Sequence, residues 1–284
     1  MCCWSVVLPV MEANRTLAAV VELQDRIEAR GPGQMYPDEA VERLGGSKRA
    51  AAVLSLYLRM PEEVAPHKPT AWSVLSECGV AALPVYVRTL GDPNADLRIW
   101  AACQLRRLGE EAKPALPALI RALSDEHKHV RAWVAQAIAG VGSEAASTVP
   151  VLIQALREEQ DPGIQGDMAT ALGVIGPASA PAVPDLMALL GSGSWATRRD
   201  AAEALGRIGP AAKNSVPKLT ELLSDEDENV RLAAAEALGL IGVRTDAAVK
   251  GLKRLFDEEH KDVRGNAIQA VWRLTQQPEL VMPA

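Results

Sequence analysis

A segment of thirteen residues recurs along most of this chain: LRIWAACQLRRLG from Leu97, VRAWVAQAIAGVG from Val130, IQGDMATALGVIG from Ile164, TRRDAAEALGRIG from Thr197, VRLAAAEALGLIG from Val230 and VRGNAIQAVWRLT from Val263. The second position of each copy reads Arg98, Arg131, Gln165, Arg198, Arg231 and Arg264, with steps of 33, 34, 33, 33 and 33 residues. A fixed period of this size requires that each copy be one supersecondary unit, too small to bury its own apolar face, so the copies must stack on one another as a solenoid. Ala and Leu are abundant while aromatic residues are only 4% of the chain, which suits closely packed helices and disfavours a sheet sandwich. The expected class is all-α.

The stretch Ser215 to Gly242 serves as the type copy. Val216, Leu219, Leu222 and Leu223 fall at helical spacing and predict a first helix over 216–223, with Pro217 in its first turn, where a missing N–H costs nothing. The same slot holds Pro84, Pro117, Pro150 and Pro184 before it becomes Lys250. Residues 224–229 form an acidic turn that reverses the chain and meets the positive end of the second helix dipole. On that second helix Val230, Ala234, Ala237, Leu238 and Ile241 make the buried stripe, and Gly242, like Gly109, Gly142, Gly176 and Gly209, ends the helix with a residue that tolerates a left-handed turn.

A Pro-started helix, an acidic turn and a VRxxAAxALGxIG helix together resemble the HEAT repeat, in particular the short bacterial form named after phycobilisome lyases, over about Pro84 to Leu274. The resemblance implies a right-handed α-solenoid of stacked helical hairpins, HEAT/armadillo-like, whose second helices line a concave face. It also implies a ladder in which Asp92, Asp125 and Asp225 of the turns pair with Arg98, Arg131 or Arg231 of their own or an adjoining copy, with Gln165 interrupting it. Upstream, residues 44–63 and 70–94 read as diverged repeats, and Leu17 to Ile27 as one further amphipathic helix ended by Gly31-Pro32-Gly33. The expected organisation is an N-terminal helical cap over 1–46, the repeat array over 47–277 and a tail over 278–284.

The net charge of −6 and pI near 5.4 provide no global cationic field for nucleic acid or anionic lipid. Cys2, Cys3, Cys78 and Cys103 are scattered rather than paired in spacing, which points to a reducing, cytoplasmic setting. The apolar start MCCWSVVLPVM lacks a basic leader and is too short to span a bilayer. No nucleophile elbow, phosphate loop, dinucleotide fingerprint or HExxH occurs, so neither a catalytic residue nor a cofactor is assigned. His127 and His129 could share an ion, but with His67 and His260 distant in the array the ligand set is too small, and no metal is expected.

Projection of the second helices leaves an outward face that includes Cys103, Arg106 and Arg107; Gln136 and Ala139; Gly166, Thr170, Gly173 and Val174; Arg199, Glu203 and Arg207; Leu232, Glu236 and Leu240; then Trp272 and Arg273. Of these, Arg106, Arg107, Gln136, Thr170, Arg199, Arg207, Trp272 and Arg273 are the candidate contacts for a protein or peptide partner, an acidic one on account of the arginines. Trp100 and Trp133 share a slot two residues after the Arg and are expected to pack between repeats; exposed in the groove, they would instead suit a nucleobase. The reading is thus a non-enzymatic scaffold or adaptor. Its alternatives are an enzyme-associated subunit, such as a bilin lyase component, or a nucleic-acid repair protein. If the helix face is assigned correctly, Leu238→Ala costs about 2–4 kcal/mol in chemical denaturation while Glu236→Ala costs little; equal losses would contradict it.

Overall fold

The computed structural model describes residues 41–42, 46–48, 50–51, 75–257 and 260–275, and all regular structure among them is helical. The expected N-terminal helix at 17–27 and the tail over 278–284 lie outside the described residues. The chain divides into two compact units, Met1–Thr89 and Leu90–Ala284. In the first, a 3₁₀ turn over Gly79–Ala82 leads into helix α1, Leu83–Thr89, whose Tyr86 is buried and donates its hydroxyl to the Leu75 carbonyl at 2.7 Å.

The second unit is a stack of helices. Long members are α2 (Ala95–Leu108), α4 (Lys128–Val141), α6 (Pro162–Ile175), α8 (Trp195–Ile208), α10 (Glu228–Ile241) and α12 (Lys261–Thr275). Between them run shorter ones, α3 (Leu116–Ala122), α5 (Val149–Glu158), α7 (Val183–Leu189), α9 (Val216–Glu221) and α11 (Asp246–Arg254). This is the expected α-solenoid, and the recurring Pro residues 117, 150, 184 and 217 all sit in the first turn of a short helix. Val230, Ala234, Ala237, Leu238 and Ile241 are buried and Glu236 is exposed, as the type copy predicts. The predicted helix 216–223 is α9 followed by a 3₁₀ turn over Leu222–Ser224.

Four of the long helices, α2, α6, α8 and α10, begin at a polar residue that replaces missing hydrogen bonds, whereas the His127 side chain makes no such bond at the start of α4. Asn94 accepts from the Asp96 N–H at 2.8 Å, Asp161 from Gly163 at 2.9 Å and Asp227 from Asn229 at 2.9 Å, and Ser194 takes the same role. At the other end, Gly109, Gly142, Gly176 and Gly209 have φ between 59° and 79° but ψ between −131° and −147°, a combination near the first central position of a type II′ turn. The chain is therefore redirected into a seven-residue 3₁₀ segment after each of them, for example Gly109–Ala115 and Gly142–Thr148. Only Gly242 adopts the expected left-handed helical conformation, with ψ of 12°, and it opens into an extended link ending at Thr245, the cap of α11.

From α6 onward, consecutive long helices meet through glycine. A β-carbon at Gly173 would lie 2.7 Å from the Ala204 α-carbon on the next long helix, one at Gly206 2.9 Å from that of Ala237, and one at Gly239 3.1 Å from that of Ala270. Gly173 is thus buried between α6 and α8, and Gly166 is buried against Asp200, so both leave the outward face on which the helical projection places them. The projection treats each helix as having one buried side; in the stack a long helix is covered by the long helices before and after it as well as by its short partner.

Turn carboxylates and helix arginines form the expected ladder with a defined register. Arg98 reaches forward to Asp125, 2.8 Å, Arg131 to Glu159, 2.7 Å, and Arg198 to Asp225, 2.8 Å. Each guanidinium also donates backward to its own turn: Arg98 to the Asp92 carbonyl, Arg131 to that of Asp125, Arg198 to that of Ser192 and Arg231 to that of Asp225. The Asp225 carboxylate is therefore held by Arg198 of the preceding copy, which was not among the expected partners, while Arg231 of its own copy bonds the Asp225 carbonyl. Gln165 keeps the backward bond, to the Glu159 carbonyl at 2.8 Å, while the residue in the forward acceptor slot is Ser192. At that seam Thr197 donates instead across to the Pro162 carbonyl at 2.8 Å.

Burial pushes the Asp225 and Glu159 carboxyls up, but hydrogen bonds from Arg198 and Arg131, backbone N–H groups and the guanidinium charges outweigh it and hold both below the usual range. Depressed folded-state values mean that the ladder contributes stability above the ordinary carboxylate range near ~4 and loses it as pH falls through the depressed values. Asp225→Asn is expected to cost about 1–3 kcal/mol at neutral pH and to flatten the acid limb of a stability-against-pH curve; an unchanged acid limb would contradict the pairing. Gly173→Ala is expected to destabilise by about 1–3 kcal/mol through the forced separation of α6 and α8, whereas Gly265→Ala, with open space around its β-carbon, gains about 0.4–1 kcal/mol. Equal thermal shifts for the two would remove the close-approach argument.

Candidate functional site

The outward face of the long helices holds a depression of about 550 Å³. Arg106 and Arg107 from the last turn of α2, Gln136, Ala139 and Gly140 from α4, and Asp167 and Thr170 from α6 line it. Small residues at 139 and 140 open the floor: a β-carbon at Gly140 would stand 3.0 Å from the Arg106 carbonyl, so α2 and α4 approach closely below the depression. The structure thereby brings together four of the sequence-predicted contacts, Arg106, Arg107, Gln136 and Thr170.

The walls are unlike in charge. Arg106 lies over the Trp133 ring, 5.6 Å from its centroid, and Arg107 donates to Gln104 at 3.3 Å; among the described residues neither guanidinium is in an ion pair. Opposite them Gln136 donates to Asp167 Oδ1 at 3.0 Å. Burial pushes the Asp167 carboxyl up, the Gln136 hydrogen bond opposes this, and the Asp200 charge adds to the rise, with Arg106 countering in part. Asp167 and Asp200 occupy the slot that holds Trp100 and Trp133 in the two preceding copies. Reading that slot through every copy, rather than for its aromatic residues alone, would have drawn attention to both carboxylates.

Further along the face, α8 neutralises its own arginines. Arg199 donates to Asp200 at 2.7 Å and lies 5.3 Å from the Trp195 ring centroid, while Glu203 stands 3.9 Å from Arg199 and 3.7 Å from Arg207. Burial pushes Glu203 up, Arg207 and Arg199 pull it down, and the charges of Asp200 and Glu236 leave it raised overall. Arg199 and Arg207 are thus on the face as expected but already engaged. The last two long helices contribute apolar exposure, with Leu240 39% and Trp272 52% exposed, and Arg273 beside Trp272 is exposed too.

Trp100 and Trp133 are both half-buried, and Trp133 is engaged from α2 through Arg106. His127 and His129 stand with ring centroids 5.5 Å apart at the start of α4, and among the described residues no group of three or more His, Cys, Asp or Glu side chains gathers as a metal site would require. His67, Cys2 and Cys3 lie outside the described residues. Burial, with a lesser contribution from Glu77, pushes the Cys78 thiol up to about 11, and Cys103 is half-buried on α2. One apolar run, Pro162–Leu189, has the length and composition of a membrane span, but Gly176 turns it into the hairpin of α6 and α7.

Comparison with known proteins agrees with the repeat geometry. A family model described as HEAT repeats matches residues 83–149, 149–214 and 183–272. A comparison with curated proteins finds no match. Among solved structures, the chain is similar to an archaeal HEAT-like repeats protein from Thermococcus onnurineus NA1 at 14% identity and a TM-score of 0.55, over 84% of this chain and 98% of that one. It is similar to Kap121p bound to Pho4p at 16% identity and a TM-score of 0.63, over 84% of this chain and 30% of that one. A designed armadillo repeat protein in complex with the peptide (KR)4 aligns at 19% identity and a TM-score of 0.58, over 68% of this chain and 99% of that one. At these identities the likeness is one of fold.

Proposed function

Because the chain belongs to the HEAT-repeat family, we propose that it is a non-enzymatic scaffold or adaptor, cytoplasmic and without a cofactor, that holds a protein or peptide partner on the face of its long helices. The observation that carries this reading is the depression across α2, α4 and α6, where two guanidinium groups without an ion-pair partner among the described residues face the open side of a rigid helical floor. A floor of small side chains between fixed charges and hydrogen-bonding groups suits a polypeptide, which supplies both apolar contact and hydrogen-bonding groups. Two neighbours in fold were solved with a peptide and with a protein bound, which supports a partner of the same general kind.

The nucleic-acid reading has less in its favour. Trp133 already carries Arg106 against it, and Asp167, Asp200, Glu203 and Glu236 on the same face would repel a phosphate backbone. The finer resemblance to phycobilisome-lyase repeats supports a bilin-lyase component as the second reading, and capture of a bilin-carrying protein would favour it.

The test is affinity capture from the native host with the full chain and two charge-reversed variants of verified melting temperature. Reversal of Arg106 and Arg107 to Glu together with Trp272→Ala is expected to lower partner recovery at least ~ten-fold, a change of about 1.4 kcal/mol. Reversal of Lys113, Lys213 and Lys218, exposed residues of the short-helix side, is expected to leave it unchanged. A partner lost with the second variant and kept with the first would place the binding surface on the short helices.

A further inference from the structure

The two walls of the depression make different demands on whatever fills it. Arg106 and Arg107 bring two positive charges whose contacts among the described residues are an aromatic ring and a glutamine, neither of which neutralises them. A carboxylate would gain charge-assisted hydrogen bonds there without first breaking an ion pair. Asp167, across the floor, is held by one neutral donor, Gln136, and its neighbour in the next copy is another carboxylate, Asp200, whose own guanidinium contact is Arg199. A cationic group would compensate a partly desolvated charge at that point.

Continuing the face reinforces the asymmetry. Beyond α6 it carries Asp200, Glu203 and Glu236 against Arg199 and Arg207, and both of these arginines are already shared with Asp200 and Glu203. A uniformly acidic partner would therefore be drawn to α2, repelled by Asp167 on α6 and Glu236 on α10, and met by a balanced set of charges on α8. A uniformly basic one would meet the reverse. Discrimination of this kind, in which the wrong charge pattern is penalised as well as the right one rewarded, gives specificity as well as affinity.

We infer that the depression across α2, α4 and α6 is a two-point receptor for a polypeptide segment of mixed charge, which sets a carboxylate against Arg106 and Arg107 and a lysine or arginine side chain against Asp167. The inference rests on the reading of the long-helix face as the partner surface and adds to it the chemistry and the direction of the bound segment. The acidic part lies toward the N-terminal end of the array and the basic part toward α8. Thr170 and Gln136, between the two walls, supply hydrogen-bonding groups for its backbone. Trp133, 5.6 Å from the Arg106 guanidinium, holds that group at the wall without neutralising its charge.

The test uses the full chain and three labelled synthetic peptides of about twelve residues, long enough at roughly 3.3 Å per residue to cross three helices packed roughly 10 Å apart. One is acidic in its first half and basic in its second, one is oligoglutamate and one is oligolysine. Fluorescence anisotropy at low salt is expected to show the mixed peptide binding at least ~ten-fold more tightly than either single-sign peptide. Asp167→Asn is expected to weaken the mixed peptide and at the same time strengthen oligoglutamate, because it removes the repelling charge; Arg106→Ala with Arg107→Ala should do the opposite and favour oligolysine. A variant that merely disturbed the fold would lower all three together, and melting temperatures check this separately. Tightest binding by a single-sign peptide, no binding of the mixed peptide, or opposite-sign gains that fail to appear would overturn the proposal. Host-partner capture that still depends on Arg106, Arg107 and Trp272 alongside such a result would leave the long-helix surface standing and remove the two-point chemistry alone.

Discussion

The backbone-to-backbone approach of consecutive long helices is the constraint on which the rest of this structure depends. Gly173 and Gly206 sit against the α-carbons of Ala204 and Ala237 at separations that leave no room for a β-carbon, and Gly239 against that of Ala270 at one that leaves little. Close approach sets the step from one copy to the next over α6 to α12, and at the α8–α10 seam it coincides with the pair of Arg198 and Asp225; Arg98 and Arg131 likewise each reach a carboxylate 27 or 28 residues further on. Apolar burial supplies most of the favourable free energy, since each hairpin has little core of its own, but it is non-directional. Glycine contacts and the arginine ladder give the stack its register.

Register in turn creates the face. Side chains three or four residues apart on one long helix line up with those of the next at nearly constant spacing, so Arg106, Gln136 and Asp167 from three different copies converge on one depression. The same regularity lets a change of residue type in one slot become a change of surface chemistry along the array. Trp100 and Trp133 give way to Asp167 and Asp200, and Arg106 gives way through Ala139 to the buried glycines. Repetition thus holds the scaffold constant while individual slots vary what a partner would meet.

Much of this was legible before any coordinates. Period, helix order, the prolines of the first turns, the acidic turn that caps α10 and the buried stripe through Leu238 all follow from spacing and local chemistry, because these features are decided within one copy. What escaped was decided between copies. Gly166 and Gly173 project outward on an isolated helix and are buried only once α8 is in place. Which arginine meets which turn depends on the step: Asp225 takes Arg198, and Ser192 stands where Gln165 would have needed a carboxylate. The 3₁₀ segments after Gly109, Gly142, Gly176 and Gly209 hinge on ψ, and a glycine in sequence announces only that a positive φ is permitted. Of the candidate contacts, Arg106, Arg107, Gln136 and Thr170 gather at one place, while Arg199 and Arg207 are shared with carboxylates whose pairing the helical projection did not weigh.

The central claim is that the long-helix face, and not the side formed by the short helices, receives the partner. Hydroxyl-radical footprinting of the full chain, alone and in complex with the captured partner, addresses it most directly because oxidation reports the solvent access of individual side chains. Trp133 on α4 and Leu240 and Trp272 at the C-terminal end of the same face serve as reporters, and Met187 on α7 and Val249 on α11 report the other side. The account predicts that complex formation suppresses oxidation at Trp133 and Trp272 and leaves Met187 and Val249 as reactive as in the free chain. Protection of Met187 and Val249, with Trp133 and Trp272 unchanged, would contradict it.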